Sequence, residues 1–268
     1  MSGPQCCSNP PVLNPNGGAG HVEKLGGLNT YITGSPSSKL AIVLISDILS
    51  FLSFFKLLCY YWILCCKEYW VLSVCFGYEA PNLRKLADKT AAVGFFAVVP
   101  DFFHGDPFHG DPYVPENADR PITVWLKDHG TGFEEAKLVI EALKSKGFSA
   151  IGASGFCWGG KVVVELAKSD FIQAAVILHP ALVTVEDIKE VKVPISVLGA
   201  EVDRPAPPEL VKQFEEALAA KSGLDFHVKV FPKVEHGWTT RYSVEDEEAV
   251  KKAEEAHQDM LEWFSKHV

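Results

Sequence analysis

The sequence predicts an α/β protein: a single domain on a doubly wound, mainly parallel sheet with helices on both faces. Three observations carry that expectation. Short apolar, β-branched runs recur along the chain, separated by segments of helical period. Several runs, Leu40 to Ile45 among them, are continuously apolar, as suits parallel strands covered on both faces. The length of 268 residues fits one large domain of this kind.

Residues 1–20 are rich in Pro, Gly, Asn and Ser and read as a flexible tail. They have neither the basic region nor the apolar stretch of a signal peptide. Cys6-Cys7 has no His or further Cys at ligand spacing, so no metal site is expected there. The folded domain is expected over 21–268. Leu28 to Thr33 alternates like a half-buried strand, and Gly34-Ser35-Pro36 turns the chain. Leu40 to Ile45 is the next strand, ending at Ser46-Asp47-Ile48. That is the carboxyl edge, where ligands bind in open α/β sheets.

Residues Leu49 to Cys75 interrupt the rhythm. Of these 27 residues 21 are apolar, with no glycine or proline, so a membrane helix over 48–66 is the first reading to test. Lys56 at its middle would cost about 2.5–3.5 kcal/mol on insertion, and neither flank carries a charge bias to set an orientation. The stretch 49–75 is therefore an atypical apolar segment with no membrane partner; a buried extra helix is the other reading, but its apolar residues run all round the axis and would need covering on every side.

The α/β pattern then resumes. Glu79 to Asp88 starts a helix with Pro81 in its first turn, and Phe95 to Val99 is a strand. Asp101 to Pro121 is a Pro-, Asp- and Gly-rich loop. Its repeats His104-Gly105-Asp106-Pro107 and His109-Gly110-Asp111-Pro112 read as turn formers, not ligands. Phe133 to Lys146 has one helical apolar face and is closed by Gly147. Phe148 to Ala153 is a strand, and Lys161 to Ala167 has helical character. Strands follow at Ala174 to Leu178, Val193 to Leu198 and Phe226 to Phe231. Helices are expected at Val185 to Lys192, Pro208 to Ser222 and Glu245 to Val268.

Between a strand and a helix stands Gly155-Phe156-Cys157-Trp158-Gly159-Gly160. Glycines there permit the sharp turn that lifts a central side chain off the sheet and sets a helix N-terminus behind it. This is a nucleophile elbow with Cys157 in the nucleophile's place. A thiol nucleophile needs a base to take its proton and an acid to orient the base, and in this architecture the order is nucleophile, acid, histidine. Asp203 follows the strand Val193 to Leu198, and His236 follows Phe226 to Phe231. Glu201 is the competing acid. His179 is a competing histidine, but it falls between nucleophile and acid.

The net charge of −9 and the absence of a long Lys/Arg cluster argue against a nucleic-acid partner. An odd total of seven cysteines without a secretory pattern fits reducing cytosol, so a cytoplasmic location is expected. No cofactor and no metal are expected.

Four features together, the elbow, Val98-Val99-Pro100-Asp101-Phe102, Asp203 after its strand and His236-Gly237-Trp238, resemble the dienelactone hydrolase family of α/β-hydrolases. The plant cytosolic branch is the nearest in kind. The likeness runs from about Gly20 to Val268, apart from 49–75. It implies a small ester or lactone substrate, attack by Cys157 through a thioester, proton transfer by His236, and Asp203 holding the imidazole. It implies an oxyanion hole made by the backbone N–H groups of Trp158 and Ile48. The acidic position before Ile48, typically glutamate, contacts the resting thiol, and here it is the shorter Asp47. An arginine just past the histidine, for which Arg241 is the nearby residue, helps bind a substrate carboxylate.

Family members run from the equivalent of Ser46-Asp47-Ile48 straight into Phe76-Gly77-Tyr78-Glu79, so deleting 49–75 would restore the family junction. An insertion beside Ile48 threatens an oxyanion donor worth about 2.7–4 kcal/mol in the transition state. An inactive or binding protein on the same fold is the alternative reading. Some plant relatives carry a glucanase name, but glycoside hydrolysis usually needs two carboxyl groups across a sugar and would leave the elbow without purpose.

Overall fold

The structure is a computed structural model, describing residues 18–47, 49–50, 77–106, 108–109, 120–130 and 132–268. Its strands are β1 (His21–Leu25), β2 (Leu28–Thr33), β3 (Leu40–Ile45), β4 (Leu49–Ser50), β5 (Phe96–Pro100), β6 (Phe108–His109), β7 (Ala150–Phe156), β8 (Ala174–Leu178), β9 (Ile195–Val202) and β10 (Phe226–Glu235). Its helices are α1 (Pro81–Ala92), α2 (Ile122–His129), α3 (Phe133–Ser145), α4 (Trp158–Ala167), α5 (Val185–Glu190), α6 (Pro208–Ala219) and α7 (Glu247–His267).

Among the described residues the main sheet has eight strands in the order β1-β2-β5-β3-β7-β8-β9-β10. The pairs β1–β2 and β2–β5 are antiparallel, and from β5 to β10 every pair is parallel. This is the expected doubly wound architecture. The unbroken apolar run of β3 has a direct cause in the two faces. Ile42 and Leu44 pack with Leu83 and Leu86 of α1 and Met260 and Phe264 of α7. Ala41, Val43 and Ile45 belong to the core of the other face, which also holds Val139 of α3 and Val163 of α4. All five strand residues are 0% exposed. Full burial of each larger side chain contributes about 1.5–3 kcal/mol, so a polar residue at any of these positions would weaken one layer.

The winding also places the site. From β3 the chain goes to β5 on one side, then crosses to β7 on the other, so the strand order reverses at β3. The crevice at such a reversal, outside the carboxyl ends of the strands, is where open α/β sheets hold ligands. Ile45 pairs with Gly155 across β3 and β7. Asp47 and Cys157 each stand two residues beyond that pair, and so leave the sheet side by side.

Some boundaries differ from the sequence reading. The strand expected at Phe148 to Ala153 runs from Ala150 to Phe156. Phe148 is spent on ending α3, since its N–H donates to Leu143 O at 3.2 Å. Gly155 and Phe156 stay in the ladder through their pairs with Ile45 and Leu178. Strand β1 and helix α2 were not expected at all. Of the apolar insertion, Leu49 and Ser50 are described and pair in parallel with Phe108 and His109. Its residues 51–75, and with them nearly all of the candidate span 48–66, lie outside the described residues, as do Cys6 and Cys7. No described helix is long and apolar enough to cross a membrane.

Candidate active site

Cys157 is the turn between β7 and α4, with φ 54° and ψ −114°, outside the ordinary regions for a side-chain-bearing residue. Such a conformation costs on the order of 1–3 kcal/mol and persists because its surroundings hold it. Those surroundings are close backbone. A Cβ on Gly155 would lie 2.1 Å from Gly159 O, and one on Gly159 would lie 2.2 Å from Ile45 O. Glycine is required at both positions because the first turn of α4 is pressed onto β3 and β7. The Cys157 N–H donates to Leu178 O at 3.2 Å, and the Ala181 N–H donates to Cys157 O at 2.9 Å.

The thiol is buried, at 4% exposure, within electrostatic reach of the Asp47 carboxylate and of the N–H of Trp158, the residue expected to hold an oxyanion. Burial, and after it the negative charge of Asp47, pushes the thiol well above its ordinary pKa, while Arg241 and the Trp158 N–H act in the opposite sense. Asp47 Oδ2 is in turn 3.1 Å from Arg241 Nε, and both side chains are almost wholly buried. Arg241 reaches back because Gly237, at φ 92°, turns the chain beneath it; a Cβ on Gly237 would lie 2.1 Å from Arg241 Nε. The same guanidinium donates from Nη2 to His236 O at 3.2 Å, which ties the Asp47 group to the histidine loop.

The other half of the site is the pair His236 and Asp203. His236 Nδ1 lies 2.8 Å from Asp203 Oδ2. Asp203 is held by the Ala206 N–H, which donates to Oδ1 at 2.9 Å. Its competitor Glu201 is occupied elsewhere, accepting the Lys233 N–H at 2.6 Å at the exposed carboxyl end of β9. A cleft of about 240 Å³ beside the histidine loop is lined by His236, Trp238, Arg241 and Tyr242 but not by Cys157.

The structure therefore brings Cys157, Asp47, Trp158 and Arg241 into one group and Asp203 with His236 into another, joined through Arg241. Ile48, the second expected oxyanion donor, lies outside the described residues. His179, which chain order had set aside, stands beside His236, and Thr239, which sequence reasoning did not name, is bonded to His179. His179 packs on its ring at a centroid distance of 5.0 Å, and Thr239 lies 2.7 Å from His179. The one sequence signal for His179 was its place directly after β8.

The charge of Asp47 has a measurable consequence, since it favours the neutral thiol over the thiolate. Asp47→Asn removes the charge and leaves Arg241, which favours the thiolate. Alkylation of Cys157 by iodoacetamide at pH 7 is expected to quicken by about tenfold, the effect of one pKa unit. Peptide mapping of the labelling rate checks this, and an unchanged or slower rate counts against the electrostatic assignment.

Comparisons with known proteins bear on the family and the fold. A sequence model described as "Dienelactone hydrolase family" matches residues 70–268. A maize protein named "Endo-1,3;1,4-beta-D-glucanase" is 37% identical over 230 residues, 83% of this chain. The match covers 64% of the maize protein, so this chain spans under two thirds of that relative's length. A "Carboxymethylenebutenolidase homolog" of Xenopus tropicalis is 36% identical over 198 residues, 72% of this chain and 79% of that protein. Among solved structures, a putative dienelactone hydrolase from Klebsiella pneumoniae superposes with a TM-score of 0.60 at 20% identity, covering 90% of this chain and 93% of that one. At that identity the superposition speaks to the fold.

Proposed function

The chain belongs to the dienelactone hydrolase family, and from that premise we propose that it hydrolyses small esters or lactones through a cysteine nucleophile. The observation that carries the reading is Cys157 in its strained turn, in reach of an Asp47–Arg241 pair whose guanidinium also donates to His236 O, while His236 is bonded to Asp203.

In the proposed reaction His236 Nε2 accepts the Cys157 proton as the sulfur bonds to the substrate carbonyl carbon. Asp203 keeps the other imidazole proton on Nδ1, which leaves Nε2 as the base. The oxyanion that forms is met by the Trp158 N–H; Ile48, whose N–H is the second donor the family implies, adjoins the insertion. Collapse breaks the ester C–O bond, and His236 returns its proton to the leaving alkoxide. In a lactone that alkoxide stays attached to the acyl group. Water, deprotonated by His236, then hydrolyses the Cys157 thioester and releases the acid. Arg241 supplies a positive charge for a substrate carboxylate, and its existing pair with Asp47 keeps the guanidinium in place.

The neutral, buried thiol supports a resting state protected from stray alkylation or oxidation. The odd cysteine total and the acidic net charge support a cytoplasmic protein without a nucleic-acid partner. We also propose that residues 49–75 are an aberrant insertion next to Ile48. Removing them is expected to raise kcat on an activated ester by about 10²-fold, the worth of an oxyanion donor. If both chains hydrolyse nothing, the reading as an inactive or binding protein replaces this one.

The maize relative favours testing a second reading, β-glucan hydrolysis. The carboxylates of this site support it poorly, since Asp47 is engaged by Arg241 and Asp203 by His236. Release of reducing sugar from a β-glucan that persists in Cys157→Ala would favour it.

A further inference from the structure

His179 is the first residue past β8 and stands at φ 38°, with its own N–H donating to Leu198 O at 2.8 Å. Its ring is completely buried. The ring meets that of His236 edge to face, 5.0 Å between centroids and 69° between planes, and it meets Trp238 at 5.3 Å. Nε2 lies 2.7 Å from Thr239 Oγ1, a hydrogen bond that ties the ring to the threonine hydroxyl.

Thr239 is gripped a second time. His257 Nε2, on α7, donates to the Thr239 carbonyl at 2.8 Å. Burial holds both histidines neutral, lowering His257 to about 4 and His179 well below its usual value, the latter helped by the charge of Arg241. A neutral ring beside His236 neither takes its proton nor repels its cationic form. The bonds make no proton wire, because His257 binds the carbonyl of Thr239 and not its hydroxyl. What remains is a mechanical clamp on the turn that carries His236.

We infer that His179, tied by the Thr239 hydroxyl, is a positioning residue that fixes the ring plane of His236 for proton exchange with Cys157. This rests on the Cys157, His236 and Asp203 reading above. A small misalignment of a base is enough to slow proton transfer without altering substrate binding.

Three substitutions test it in the full chain: Thr239→Val, which removes the hydroxyl; Thr239→Ser, which keeps it; and His179→Phe, which keeps a ring without the tether. The readouts are kcat and KM on an activated aryl ester, and the proton NMR signal of His236 Nδ1–H in its bond to Asp203. Thr239→Val and His179→Phe are expected to lower kcat about tenfold with KM within about twofold, and to shift or broaden that signal. Thr239→Ser is expected to stay within about twofold of the native kcat with the signal unmoved. A clamp that served stability alone would lower the thermal midpoint and leave the His236 signal where it was. The inference is overturned if folded Thr239→Val keeps both kcat and signal, or if Thr239→Ser loses as much as Thr239→Val. Should His179→Phe fail to fold, the threonine pair decides. Should the native chain turn over no ester, the functional reading fails while the NMR signal still tests the clamp.

Discussion

Cys157→Ala is expected to cut turnover of an activated ester by about 10⁴-fold or more while the protein stays folded, since single nucleophile knockouts remove nearly all of a triad's contribution. The substitution takes away the attacking sulfur and little else. Alanine at the turn faces the same positive φ that cysteine tolerates, and Asp47 keeps its pair with Arg241 when the thiol is gone. Cys157 is the free cysteine among the described residues, so no described thiol stands ready to replace it. Steady-state rates together with a thermal melt check the expectation. A folded variant that keeps more than a tenth of the native rate would show that the chemistry runs elsewhere.

Asp203→Asn is expected to lower kcat by about 10³–10⁴-fold, through the imidazole tautomer and not through loss of contact. The geometry dictates the amide's orientation. Oδ1 of Asp203 accepts the Ala206 N–H at 2.9 Å, so an amide oxygen would settle there. The amide NH₂ would then point at His236 Nδ1, which in the native pair lies 2.8 Å from Oδ2. Facing a donor, Nδ1 must become the acceptor, and the ring proton moves to Nε2. An Nε2 that already carries a proton cannot take one from Cys157. The cost should appear in kcat with KM nearly unchanged, and the protein should melt close to the native temperature. A loss under tenfold would mean that Asp203 is not the orienting acid.

Much of the fold was readable because of how parallel sheets bury their strands. Both faces of β3, β5 and β8 are covered, so each reads as a continuous apolar run, and each run ends where a loop residue can do chemistry. The elbow was readable because close backbone contact demands glycine at 155 and 159. Strand β1 escaped because it is an antiparallel edge strand with His21, Val22 and Lys24 on or near the surface and little apolar alternation to betray it. Helix α2 escaped because it is eight residues long, has no side-chain cap and buries Trp125 alone.

The site was legible in its parts and not in its couplings. Cys157, Asp203 and His236 each follow a strand, and strand ends can be read from sequence. The pair Asp47–Arg241 joins residues from opposite ends of the chain, and it forms because the turn at Gly237 folds the arginine back by an amount no spacing rule states. The contact of His179 with His236 likewise depends on β8 lying between β7 and β9 in the sheet. Chain order alone set His179 aside, since it falls between nucleophile and acid. Its burial and its bond to Thr239 bring it back as a neighbour of the base.

The central claim is a covalent one, and mass spectrometry of the intermediate tests it most directly. The native chain is mixed with an activated ester, quenched in acid within the first turnovers, digested and mapped. The expected result is the acyl mass on the peptide carrying Cys157, absent from Cys157→Ala and cleared on further incubation. Turnover that proceeds with that peptide unmodified, or with the acyl group on another residue, would contradict the account.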